Sequence, residues 1–144
     1  MGHYIANLRD IEFCLFDLLE REEILGKSIY KDLDRETAMG MLEEVKRMAE
    51  NDLAASFVDG DQQKVKFDPA TGNATLPESF KKSYKTFMDN EWWRLDAPVE
   101  LGGTAVPPSI RWAIAEMVLG SNPAIHIYAS GTAFAHVAYV YGTE

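Results

Sequence analysis

The residues in this 144-residue chain whose types could do chemistry are few: three histidines, one cysteine, a glycine pair, and some neighbouring acids and lysines. His126 and His136 fall in one predicted helix. Ten steps of about 100° place them roughly 80° apart around the axis and roughly 15 Å apart along it, so they cannot share a metal ion. With His3 far away in sequence, all three read as ordinary core or surface residues. Cys14 lies in a strongly apolar helical run and reads as a buried structural thiol, not a nucleophile. Ser130-Gly131 lacks the strand-turn-helix setting of a hydrolase elbow. Glu43-Glu44 reads as a solvated face, with Glu43 one turn before Arg47 and able to pair with it. Lys81, Lys82 and Lys85 could meet an anion, but their spacing fits a solvent-facing flank.

Leu101-Gly102-Gly103 poses the sharper question. Phosphate loops set glycines between a strand and a helix, often with a lysine after them. No strand precedes this pair and no lysine follows. A helix-to-helix turn is the better reading: one glycine can take positive φ, and Pro107-Pro108 sets the start of the next helix.

The elements that must position these residues are helical. Arg9 to Glu20 carries Ile11, Cys14, Leu15, Leu18 and Leu19 at helical spacing, and Phe13 and Phe16 widen the stripe. Such breadth predicts a helix covered on more than one side. Asp34 caps a second helix whose apolar positions are Ala38, Met41, Leu42, Val45, Met48, Ala49, Leu53 and Phe57, with a stop expected at Asp59-Gly60. Residues 60–76 read as a loop. Leu76-Pro77 opens a third helix with Phe80, Tyr84, Phe87 and Met88 on one face. Pro107 or Pro108 starts a fourth, through Ile110, Ala113, Ile114, Met117 and Val118, stopped by Gly120. Asn122-Pro123 starts a fifth, running toward Tyr141 with small alanines that allow close approach. No segment reads as a strand. The expected class is all-α, about five helices in a bundle-like arrangement.

Composition bounds the function. The hydrophobic fraction of 47% supports a real core, and the net charge of −9 disfavours nucleic acid and anionic membrane as partners. One cysteine excludes an internal disulfide and suits the cytoplasm. The acids among the first twenty residues argue against a signal peptide or mitochondrial presequence. No run is apolar enough to span a membrane. The residues by themselves therefore describe an acidic helical domain with no self-contained catalytic set.

The order of the segments adds a resemblance. The stretch LPESFKKSYKTFMDNEWWRLDAPVELGGTAVPPSIRWAIAEMVLGSNPAIHIYASGTAFA resembles the N-terminal helical domain of flavin-dependent acyl-CoA dehydrogenases. The shared features are the aromatics Trp92 and Trp93, the turn Pro98-Val99-Glu100-Leu101-Gly102-Gly103, and the pair Ala115-Glu116. The start, HYIANLRDIEFCLFDLLER, resembles the N-terminal extension of a bacterial subgroup with broad acyl-CoA range. The implied division is an extension over 1–33 and the helical domain over 34–144, truncated there.

The resemblance implies an enzyme of fatty-acid β-oxidation that dehydrogenates acyl-CoA thioesters at the α,β bond. It implies FAD held mainly by later domains and a neighbouring subunit, a homo-oligomer, and an electron-transferring flavoprotein as electron acceptor. No residue here matches the family's catalytic base, so no catalytic, cofactor-binding or metal residue is assigned and this chain by itself is expected to be inactive. The positions matching the family's acyl-cavity wall are Tyr128, Ala129, Ser130 and Gly131, with a steric role. An alternative stays open: a stand-alone helical assembly or acyl-binding module without redox chemistry.

Overall fold

The computed structural model describes residues 2–143. Met1 and Glu144, the last residue of the expected helical domain, lie outside the described residues. The helices are α1 (Leu8–Glu12), α2 (Arg35–Met48), α3 (Phe57–Gln62), α4 (Glu78–Asp89), α5 (Pro108–Ser121), α6 (Pro123–Ala129) and α7 (Gly131–Tyr141). The class is all-α, as the periodicity predicts.

The core is built where the apolar spacing places it. Ala38, Leu42, Val45 and Met48 recur every three or four residues along α2, and none is more than 1% exposed. They face Ile110, Ile114, Met117 and Val118 of α5, while Phe80 and Phe87 of α4 and Ile125 of α6 close the same cluster. Each fully buried side chain of this size contributes about 1.5–3 kcal/mol. Asp34 caps α2 through Oδ1, which accepts the Thr37 N–H at 2.7 Å. Arg47 pairs with Glu44 at 2.6 Å and lies 3.6 Å from Asp52, so its partner is not Glu43.

Four elements differ from their predicted form. The first helix widens after Glu12 into a π-helical stretch, Phe13–Leu18. Only one face is covered within this chain: Leu15 and Phe16 are buried, whereas Phe13 and Leu18 stand 57% and 67% exposed. The second helix does not run regularly to Gly60. After Met48 it loosens into a π stretch, Ala49–Leu53, tightens into a 3₁₀ turn, Ala54–Ser56, and resumes as α3 through Gly60. Glycine is only weakly unfavourable inside a helix and does not force a stop there. The expected loop at 60–76 contains a short exposed hairpin, in which β1 (Lys66–Asp68) pairs antiparallel with β2 (Asn73–Thr75). Asp68 builds its turn, accepting from the Ala70 N–H and the Thr71 hydroxyl at 2.9 and 2.8 Å. The fifth helix is broken at Ser130 into α6 and α7.

The loosened stretch after α2 turns carbonyl oxygens toward its neighbours, as π segments do. Ser121 donates its hydroxyl to Ala49 O at 2.6 Å, Ser83 donates to Asp52 O at 2.7 Å, and Asn122 Nδ2 donates to Leu53 O at 3.2 Å. Three side chains from α4 and the α5–α6 junction thereby satisfy buried acceptors on one backbone segment.

The N-terminal residues share this core: Leu15, Phe16, Leu25 and Leu33 belong to the same cluster as Leu42. Polar ties reinforce them. His3 Nε2 donates to Ser121 O at 2.7 Å, and Arg35 reaches Glu12 and Glu22 at 3.2 and 3.0 Å. Tyr4 lies against Gly120, where a Cβ would overlap its ring. Burial, then the nearby Glu116 and Glu50 carboxylates, push the Tyr4 phenol above its ordinary value. Glu50 accepts from Lys46 at 2.7 and 2.8 Å and from the Ala6 N–H at 3.0 Å. Among the described residues no helix is long and apolar enough to cross a membrane.

The Lys46 ammonium, and behind it the Ala6 amide, hold the Glu50 carboxyl below the usual glutamate range. Lowering the folded-state pKa stabilises the fold above the unfolded-state value and loses that stabilisation as pH falls through the folded value. The expected outcome is a melting temperature that falls between about pH 6 and about pH 3, with a shallower fall in Glu50→Gln, followed by thermal circular dichroism.

Candidate functional site

The junction between α5 and α7 carries the four expected wall residues. Asn122 leaves the helical region at φ −154°, ψ 92°, and Pro123 fixes the first residue of α6. Seven residues later the Ser130 hydroxyl donates back to Ile127 O at 2.7 Å, a local bond that competes with the helix ladder and marks the break before Gly131.

This break separates the four residues. Tyr128 points toward α4, its ring edge-on to Phe80 at 5.1 Å and to Tyr84 at 6.2 Å. It lines a cleft of about 320 Å³ together with Phe57, Val65, Leu76 and Phe80. Ala129 is buried against the core. Ser130 closes the turn. Gly131 lines a different apolar cleft of about 390 Å³ along α7, with Thr132, Ala135, Met88, Trp93 and Leu101. The four thus do not converge on one cavity. Tyr128 and Gly131 each wall a cleft, Ala129 packs, and Ser130 shapes the backbone between them.

The polar floor of the first cleft was hidden in the sequence. Asn122 and Ser56 line it, and both are buried. Asn122 Nδ2 donates to the Ser56 hydroxyl at 3.0 Å as well as to Leu53 O. The Asn-Pro pair signals only a helix start, and the side chain does not cap α6. Ser56 becomes visible as a site residue only once the backbone near it is known to leave the regular helix.

The glycine turn is closed to a phosphate. Gly102 takes φ +83°, and its N–H donates to Val99 O at 3.0 Å. Gly103 N–H donates to Pro98 O at 2.9 Å, Leu101 N–H to the same oxygen at 3.0 Å, and Thr104 N–H to Arg94 O at 2.9 Å. Four consecutive amides are consumed internally, and none is left to cradle an anion. The diphosphate of a flavin dinucleotide therefore does not fit this turn.

Other chemistry-bearing residues stay dispersed. His3 stacks on Phe57 at 4.2 Å. His126 is half-buried and His136 exposed. Among the described residues no three metal-binding side chains cluster. Lys81 and Lys85 form exposed pairs with Glu78 and Asp89, so that flank is a solvated face. Cys14 is exposed, not buried as its apolar neighbourhood suggests. The π widening that begins at Phe13 leaves Leu15 and Phe16 facing the core and turns Cys14 outward.

The ordered segments and the glycine turn are those for which a dehydrogenase resemblance is expected, and comparison with known proteins bears on it directly. The chain is 44% identical, over its whole length, to a broad-specificity linear acyl-CoA dehydrogenase of Mycobacterium tuberculosis, of which it covers 24%. It is 30% identical over 115 residues, 80% of the chain, to a 3-methylmercaptopropionyl-CoA dehydrogenase of Ruegeria pomeroyi, of which it covers 19%. No family model matches. The chain belongs to the acyl-CoA dehydrogenase family, and it spans about a quarter or less of the length of these curated relatives.

The turn makes a quantitative test of this geometry. A Cβ at Gly103 would overlap the backbone carbonyl of Ala97 and Pro98 O. Because backbone cannot rotate away as a side-chain tip can, Gly103→Ala should destabilise the chain by about 2 kcal/mol or more. Gly102→Ala, where open space surrounds the site but φ is positive, should cost about 1 kcal/mol. Urea unfolding of the two variants checks the ranking.

Proposed function

We propose that this chain is the N-terminal portion of an FAD-dependent acyl-CoA dehydrogenase, divided into an extension over 1–33 and a helical domain over 34–144. Identity over the whole chain to the N-terminal quarter of a broad-specificity linear acyl-CoA dehydrogenase carries this reading. The intact protein would dehydrogenate acyl-CoA thioesters at the α,β bond in fatty-acid β-oxidation, as a cytoplasmic homo-oligomer that passes electrons to an electron-transferring flavoprotein. FAD would accept the hydride there, and its binding groups would come from outside these residues, since the amides of the glycine turn are already committed.

The part played by this chain is steric. Gly131, Thr132 and Ala135 are small, and they line an apolar cleft against Met88, Trp93 and Leu101. Such a wall admits methylene groups and offers nothing to react with them. Tyr128 would bound the wall on its other side, with Ala129 and Ser130 fixing the path of the backbone between. The uncharged surface of α7 fits the same role, because it adds no charge next to an apolar tail.

Two measurements test the reading. Incubated with acyl-CoA thioesters of short to long chain and a dye acceptor, the isolated chain should show no dye reduction and no flavin absorbance; turnover would overturn the steric assignment. In the enzyme assembled with the remaining dehydrogenase domains, Gly131→Leu should lower kcat/KM for long acyl chains about tenfold or more while leaving short chains nearly unchanged.

A further inference from the structure

The cleft beneath Tyr128 has one feature that the wall reading does not use. Asn122 is 3% exposed. Both hydrogens of its amide nitrogen are engaged, one by Leu53 O and one by the Ser56 hydroxyl. The Leu53 carbonyl is an acceptor only, which fixes the nitrogen on that side and leaves Oδ1 on the other. Oδ1 does not cap α6, and among the described residues no donor bonds to it. Ser56 has its donor in use, accepting from Asn122 and donating weakly to Leu53 O at 3.4 Å. Asn122 Oδ1 is thus an acceptor with two free lone pairs on the floor of the cleft.

The rest of the cleft is apolar and aromatic. Phe57, Val65, Leu76, Phe80 and Tyr128 form its walls, and its volume of about 320 Å³ suits one ring with a short substituent. The single charge on its lining is Asp61, an exposed acid, and the chain as a whole carries −9. An anion entering here would meet repulsion from Asp61 and from the acceptor on the floor.

We propose that this cleft is a binding site for a small uncharged molecule with an aromatic or branched apolar body and one hydroxyl or N–H donor, which bonds to Asn122 Oδ1. The site is separate from the α7 cleft, with which it shares no lining residue. It selects against carboxylates through Asp61 and the acceptor on its floor. The recognition is a single directed hydrogen bond inside an apolar enclosure, so removing the ligand's donor proton while keeping its shape removes most of the preference.

The test compares three probes on the isotope-labelled chain by amide NMR: benzyl alcohol, benzyl methyl ether and benzoate. Benzyl alcohol should give saturable shifts at the Asn122 side-chain amide and the Ala124 backbone amide. The ether should bind about fivefold more weakly, and benzoate more weakly still. Ala124→Trp, at an exposed position on the rim of the cleft, should abolish the alcohol response. Equal affinity for alcohol and ether overturns the proposal, as do shifts centred on α7, unchanged binding in Ala124→Trp, or no saturation up to the solubility limit of benzyl alcohol. The alcohol and ether comparison needs no substitution and decides the matter even where the tryptophan variant does not fold. Its failure would leave the acyl-wall reading of Gly131 untouched.

Discussion

The fold rests on how the backbone from Ala49 to Ser56 satisfies its carbonyls. A regular helix would have enclosed them in its own ladder, and the surrounding elements would have met only side chains. Along this widened and then tightened stretch, Ala49 O, Asp52 O and Leu53 O accept from Ser121, Ser83 and Asn122, Ala49 O also keeping the Ala54 N–H. Buried acceptors left without donors are expensive, so these bonds dictate where α4 and the α5–α6 junction must sit. Hydrophobic burial between α2 and α5 supplies most of the driving force, but it is tolerant of sliding. The hydroxyl and amide bonds are not, and they set the register.

From that register follows the division of labour at the junction. Asn122 must point inward to reach Leu53 O, so the chain turns sharply there and Pro123 restarts the helix. The short α6 then places Tyr128 over α4 and Ala129 into the core. Ser130 ends it by bonding to its own backbone, and α7 leaves in a new direction. Two apolar clefts result from one interrupted helix. One has a polar floor, the other a lining of small residues, and the two surfaces differ in what they can recognise.

Much of this was legible from residue spacing. The core of α2, the cap at Asp34, the opening of α4 beside Pro77, the start of α5 and the turning role of the Gly102-Gly103 pair all follow from local rules that act within a few residues. The family marker followed from motif order. What could not be read is governed by contacts distant in sequence. The π widening at Phe13 and at Ala49 has no local signature, since Leu15, Phe16 and Leu53 would suit an ordinary helix equally well. Cys14 was misjudged for that reason. Nothing local singles out Ser83 or Ser121, and Asn122 reads only as a helix start, because the carbonyls they serve belong to another segment. The hairpin at 66–75 contains turn signals but only three-residue strands, too short for alternation to show. Arg47 chose Glu44 over Glu43 through geometry at i,i+3 that charge patterning does not resolve.

α7 stands apart from this network. It spans eleven residues, and none of its side chains is buried; Phe134 and Tyr141 are 70% and 81% exposed. A helix of that length is marginal in water, because nucleation is costly and few ladder bonds follow it. Its order is therefore borrowed. Among the described residues it leans mainly on the turn from Trp92 to Asp96. Stability is therefore uneven along the chain: α7, with no buried side chain among the described residues, should exchange its amide protons with solvent well ahead of α2 and α5, and an apolar surface laid against it would slow that exchange.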